Sequence, residues 1–321
     1  MQSSRNEEGL EANEKPRGTG HVSPVREPRT LLAVYWRGLA MGAADIVPGV
    51  SGGTMALILG IYELLIESLR ALARPPFLGN LFRGHLRRAL AEANGLFLPA
   101  LTAGIGTSVL ALSSLLSGLL EARPVFVYAF FFGLIFASVF LVARRVRRFS
   151  AGRWTLLALG AIAAFALVGL TPAQTPDAPW FLFLSGALAV SALLLPGISG
   201  AFVLVLLGKY AFVLGAISRG DIASLSAVIA GAVAGMLSLA QVLSWLFRRF
   251  HDATLALLCG VMLGSLRKVW PWQAEQGGAT INVAPPEALW STEHGPGWAL
   301  LLSMLGAVLV TVLDRAGSNA D

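Results

Sequence analysis

PGVSGGTMALILGIY fills residues 48–62, and PGISGAFVLVLLGKY fills residues 196–210. Aligned without a gap, the two phrases share Pro48/Pro196, Gly49/Gly197, Ser51/Ser199, Gly52/Gly200, Leu59/Leu207, Gly60/Gly208 and Tyr62/Tyr210. Each sets a Pro-Gly-x-Ser-Gly break inside an apolar stretch longer than one bilayer crossing needs. Paired interrupted hydrophobic segments at matching places in two halves of a chain point to the binding site of a transporter.

Apolar residues make up 55% of the 321-residue chain and charged residues 13%, with a mean hydropathy of +0.70. A soluble domain has too little interior to hide that much apolar surface, so the composition indicates a polytopic α-helical membrane protein. Residues 1–30 are polar and charged, without an apolar core or cleavage site; they read as a disordered cytoplasmic tail, with the first helix as its own insertion signal. Cys259 is the one cysteine, which excludes an intrachain disulfide and a cysteine-based metal site. The net charge of +6 does not indicate nucleic acid, because the basic residues cluster beside hydrophobic spans. There they control topology and attract anionic lipid.

Besides the interrupted segments at 33–69 and 180–217, apolar runs occupy about 97–119, 125–143, 154–171, 225–247, 253–270 and 297–314. Each is long enough, or nearly so, to cross a hydrocarbon core of ~30 Å as a helix. Trp36, Trp154, Trp180, Trp245, Trp270, Trp272 and Trp298 sit at run ends, where interfacial aromatics belong. Residues 98–138 align without gaps on 225–265, matching Gly104 with Gly231, Ser117 with Ser244, Gly133 with Gly260 and Ser138 with Ser265. The chain therefore reads as two copies, 31–171 and 178–315. The first carries an extra linker, 70–96, which is either an amphipathic surface helix or a solvated loop.

The expected fold is an all-α polytopic membrane protein of two inverted-topology repeats, each a re-entrant helical hairpin plus three transmembrane helices. Three crossings per copy is an odd number, so the second copy inserts upside down. With the tail inside, the inner connections hold twelve arginines, and the outer ones hold only Arg123, Arg219, Arg267 and Lys268. That is the positive-inside bias. Both termini are then cytoplasmic.

A hairpin arm of about fifteen residues rises ~22 Å, so its tip stops near the middle of the membrane. Free backbone N–H groups at such a tip are tolerated only against protein or a water-filled cavity. Proline ends the first arm, and glycine allows the bend and a ligand's close approach. The second arm starts at Ser51-Gly52-Gly53-Thr54 or at Ser199-Gly200-Ala201, its N–H groups and positive dipole end suited to an anion, above all a phosphate. Gly49, Ser51, Gly52, Gly53, Thr54, Gly197, Ser199 and Gly200 are the candidate binding residues. The competing account is that the glycines only allow close packing and the serines only cap helices. Arg37 and Lys209 are candidates to hold the anion from the inner and outer sides, with snorkelling as the alternative. Asp45, three residues before Pro48, is the first candidate for proton coupling or gating, and Glu63 the second; a carboxylate at depth is costly unless paired, protonated or hydrated.

The stretches GLAMGAADIVPGVSGGTMALILGIYELL (38–65), ALLLPGISGAFVLVLLGKY (192–210) and GSLRKVWPW (264–272) resemble the polyprenyl-phosphate transporter family, over about residues 33–315. The resemblance implies a multi-pass protein of the cytoplasmic membrane that returns undecaprenyl phosphate, or a related polyprenyl phosphate, from the outer to the inner leaflet. It implies no cofactor and no nucleic-acid partner; a proton or another coupling ion fits the deep carboxylate, and the oligomeric state stays open. Two positions depart from the family pattern: Ala201, where a serine is usual, and Lys209, where an apolar residue is usual. An intramembrane serine hydrolase would need a base beside Ser51 or Ser199. His21, His85, His251 and His294 all fall in the tail or in loops. A small-anion channel or exchanger uses the same broken-helix physics and is the nearer rival.

Overall fold

The computed structural model describes residues 28–47, 49–276, 279–285 and 296–318. Most of the tail expected over 1–30 lies outside them, as do Pro48, His21 and His294. The first half opens with α1 (Pro28–Ile46), then the short α2 (Gly52–Ile58) and α3 (Tyr62–Ala71). The second half repeats this as α9 (Pro179–Leu194), α10 (Gly200–Leu206) and α11 (Tyr210–Arg219). The returning limb is not one arm, as a simple hairpin would have it, but two helices. Helix α2 bends 118° into α3, and α10 bends 102° into α11. The cause lies in the repeated Leu-Gly-x-Tyr: Gly60 has φ +72° and Gly208 φ +63°. That left-handed conformation ends a helix, and residues with a Cβ adopt it at a cost.

Within the first half, after α3, run α4 (Pro75–Phe82) and α5 (Leu86–Glu92), so the 70–96 linker is helical in two pieces. Leu78, Leu81, Phe82 and Leu86 of these pieces are exposed. The remaining long helices are α6 (Phe97–Ala122), α7 (Pro124–Ala143), α8 (Ala151–Val168), α12 (Ile222–Ser265) and α13 (Pro296–Ser318). These five are long and apolar enough to cross a membrane, and the count is seven if each bent pair is one span. Straight, the 44 residues of α12 would rise ~66 Å, twice a hydrocarbon core. Its backbone leaves helical geometry at Phe250 (φ −137°, ψ 46°), which divides it into a long piece, 222–249, and a shorter one, 251–265. The chain is thus an all-α polytopic membrane protein. Its one addition among the described residues is a ribbon of β1 (Gln273–Gln276) and β2 (Ala279–Asn282), paired antiparallel. Trp270 Nε1 donates to Val283 O (2.9 Å) and Asn282 Nδ2 to Arg267 O (2.9 Å), tying the ribbon to the end of α12.

Glycines mark where helices touch, and the contacts correspond between the halves. Gly104 of α6 lies against the Tyr35 carbonyl of α1, and Gly231 of α12 against that of Phe183 in α9. Gly38 meets Leu101, and Gly186 meets Val228. The later helices exchange partners across the repeat. Gly306 of α13 packs on Phe130 of α7, while Gly160 of α8 packs on Leu257 of α12. Close backbone approach at small residues is the expected way to associate helices where lipid removes the hydrophobic drive. The apolar side chains left outward, Leu110, Ile162 and Leu301 among them, suit a lipid boundary. The buried core gathers instead around the first break, and every residue of α2 is buried.

Candidate functional site

The first break closes on itself. Helix α1 ends at Ile46, and Gly49 takes φ +93°. Ser51 is extended (φ −126°, ψ 136°) and caps α2 by accepting from Gly53 N–H at 3.1 Å. Asp45 reaches forward from the last turn of α1, its Oδ1 accepting from Gly52 N–H at 2.5 Å. The amides of Thr54 and Met55 donate to Ser51 O at 2.9 and 3.3 Å. The amides that a broken helix leaves unpaired are therefore all satisfied here, one of them by a built-in anion.

The two breaks touch. Ser51 Oγ lies 3.1 Å from Leu193 O and 3.3 Å from Leu195 O, and Tyr62 donates to Leu194 O at 2.9 Å. These are the terminal carbonyls of α9, orphaned because Pro196 stops the helix. In return Thr54 Oγ1 accepts from Gly197 N–H at 2.8 Å. The first break thus caps the end of the helix that leads into the second.

The second break differs at every polar position. Ser199 occupies the cap of α10, yet its side chain makes no capping bond. Among the described residues no hydrogen bond reaches the N–H groups of Gly200, Ala201 and Phe202. Leu193 stands where the first copy has Asp45, so no carboxylate serves this tip.

A cavity of about 480 Å³ lies against this tip. Asp45, Ile46 and Gly49 line it from the first break, and Ser199, Ala201, Phe202 and Tyr210 from the second. The end of α8 and the loop after it close another wall through Val168, Gly169, Leu170 and Pro172. Lys268, just past α12, supplies the one basic group in the lining. Its stem crosses Gly49, where a Cβ would stand 2.6 Å from Lys268 Cγ, so a side chain at 49 would push the lysine away. The ammonium lies 5.1 Å from the centre of the Phe202 ring. No ion pair or hydrogen bond engages it among the described residues. A half-buried ammonium, two residues with free amides and a free Ser199 hydroxyl lining one cavity have the donor chemistry an oxyanion would need.

The other sequence candidates fall elsewhere. Arg37 is half-buried on α1 and does not line the cavity. Lys209 is buried against Asp177, donates to Thr175 O at 2.7 Å, and lies 5.8 and 5.7 Å from the Phe181 and Phe212 ring centres. Glu63 is exposed on α3 and pairs with His251 Nε2 at 2.9 Å, beside the break in α12. Ser51, Gly52, Gly53 and Thr54 are buried and already engaged. Asp45, Gly49, Ser199 and Gly200 come together at or behind the cavity. Sequence reasoning missed Lys268. The signal was there, in GSLRKVWPW, but a lysine at the end of an apolar run reads first as a topology signal.

The profile of the undecaprenyl phosphate translocase-like family matches residues 41–283, which span both breaks and Lys268. The chain belongs to this family. A polyprenyl-phosphate transporter of Vibrio cholerae is 41% identical over 293 residues, 88% of this chain and 95% of the relative. A polyprenyl-phosphate transporter of Staphylococcus aureus is 30% identical over 253 residues, 73% of this chain and 84% of that protein. No solved structure matches the chain. The translocase-like family is one of transporters, not enzymes, which disposes of the serine-hydrolase reading of the two Gly-x-Ser-Gly phrases.

Proposed function

We propose that this protein carries polyprenyl phosphate, undecaprenyl phosphate first among them, from the outer to the inner leaflet of the cytoplasmic membrane, so that the lipid carrier of envelope polymers is reused. The observation that carries the proposal is that the unpaired Lys268 ammonium and the residues bearing the free Ala201 and Phe202 amides line one cavity walled by both breaks. A phosphate headgroup needs such a polar shelter, because a bare charge in hydrocarbon is costly. Its prenyl chain needs none, since it can stay in lipid. The phosphate is held by Lys268, the Ser199 hydroxyl and the second-tip amides, with Gly49 leaving room for the lysine. The first break is the fixed wall. The two repeats are inverted in the membrane, three crossings each, and rocking of one against the other opens the cavity to either leaflet in turn.

Fluorescent undecaprenyl phosphate movement and chloride flux, measured on the same proteoliposomes, test this reading. The expected result is lipid movement that falls at least tenfold in Lys268→Met while the protein still inserts. Movement of chloride alone would make the protein an anion channel or exchanger. Lipid movement unaffected by Lys268→Met would remove the cavity from the pathway.

A further inference from the structure

We infer that Asp45 is the residue by which the site separates a phosphate monoester from the phosphodiesters of the surrounding bilayer; the inference rests on the phosphate reading of the cavity. A transporter of a scarce phosphorylated lipid works among a large excess of glycerophospholipids, whose headgroups also carry phosphorus and negative charge. Attraction to Lys268 alone does not tell them apart. The two classes differ at one phosphate oxygen. A monoester keeps an ionisable P–OH with a second pKa near 6, whereas a diester has no such proton.

Asp45 is placed to read that proton. It lines the same cavity as Lys268, and the two form no ion pair. Its Oδ1 is held by the Gly52 amide at 2.5 Å, which fixes the carboxyl group in orientation. No hydrogen bond reaches Oδ2 among the described residues. An ionised carboxylate only accepts, so the free oxygen requires a donor from the ligand. A phosphate monoester supplies one when it binds as its monoanion, about a tenth of it at pH 7 with a second pKa near 6: the P–OH donates to Asp45 while the anionic oxygens face Lys268, Ser199 and the second-tip amides. That hydrogen bond is charge-assisted and short, among the stronger kinds available to a protein. A diester brings an anionic oxygen up to a carboxylate with no proton between them. In a partly dry cavity that repulsion is large, and Oδ2 is also left unpaired. Sites that hydrogen-bond a particular ligand proton reject analogues lacking it far better than sites that only measure size. The second break, with Leu193 at the matching position, has no such group.

The simpler account is that Asp45 serves only to cap Gly52. The two differ in their response to Asp45→Asn, whose amide oxygen can still accept from Gly52 N–H and whose NH2 can donate to either ligand. The probes are farnesyl phosphate and its methyl diester, which share tail and phosphorus and differ in the P–OH. They are titrated at pH 7 against the purified full-length protein in lipid nanodiscs. The wild type is expected to favour the monoester at least tenfold, and Asp45→Asn to reduce the ratio below threefold, chiefly by tighter diester binding. Gly52→Ala is the second variant. Its methyl group would stand 2.5 Å from Oδ2 and 2.9 Å from Oδ1, so it displaces the carboxylate without removing it, and the ratio should fall there too. A ratio near one in the wild type, or one unchanged in Asp45→Asn and Gly52→Ala, would overturn the role of Asp45 and leave the transport reading standing. Binding of both probes unaffected by Lys268→Met would instead overturn the phosphate site, and this inference with it.

Discussion

The two breaks share a backbone phrase and differ in almost everything a ligand would meet. All seven residues of α2 are buried, while in α10 only Gly200 and Leu206 are. The first tip spends its amides on Asp45 and Ser51 and its hydroxyls on the end of α9; the second leaves its amides open to a cavity. Repetition has supplied two helix starts, and side chains satisfy the amides of one and leave those of the other unpaired. The deciding pair is Asp45 against Leu193. Both precede their proline by three residues, and both face the first glycine of the returning helix: a Cβ on Gly200 would meet Leu193 Cβ at 3.5 Å.

Converting the second tip into the first is therefore the most damaging way to break the comparison. Leu193→Asp would set a carboxylate beside the Gly200 amide, neutralise the tip and oppose an arriving phosphate. Polyprenyl phosphate movement in proteoliposomes should drop at least tenfold, with helix content unchanged by circular dichroism. Retained transport would mean that the second-tip amides take no part in binding. A milder contrast concerns the bends. At Gly60 an added Cβ meets nothing within 4 Å, so Gly60→Ala should cost only the left-handed backbone, about 1–2 kcal/mol. At Gly208 the same Cβ would stand 2.5 Å from Ala173 O, so the loop after α8 must move as well. Thermal unfolding in detergent should show Gly208→Ala as the less stable variant; equal losses would show that the loop yields freely.

Much of this was legible in the chain. The apolar runs marked the long helices, and Ser51 and Ser199 marked where the returning helices begin, because a proline stop followed by a serine cap has few other readings. The bends at Gly60 and Gly208 were visible as identities between the copies. A glycine inside an apolar run, however, indicates a break without its angle. Contact between the tips was beyond reach, since it depends on Ser51 and Tyr62 meeting carbonyls more than 130 residues away. Lys268 was hidden by its position, for a cation at a span end serves topology as readily as binding. The β1–β2 ribbon follows Trp272 in a stretch whose short β-branched run carries too little pattern to separate it from loop.

Lys209 offers the finest test, because sequence and structure assign it different work. It replaces Ile61 of the first copy, and its ammonium is sealed under the loop after α8 by Asp177 and two phenylalanine rings. Asp177 remains mostly exposed, so removing the lysine strands no buried charge. Exchanging an ion pair for an apolar side chain of fitting size is commonly close to neutral, and here the first copy shows that isoleucine fits the phrase. Lys209→Ile should therefore change stability by less than about 1 kcal/mol and transport by less than twofold. A tenfold loss of transport, with stability intact, would return Lys209 to the path of the phosphate and make the outer approach to the cavity run beneath that loop.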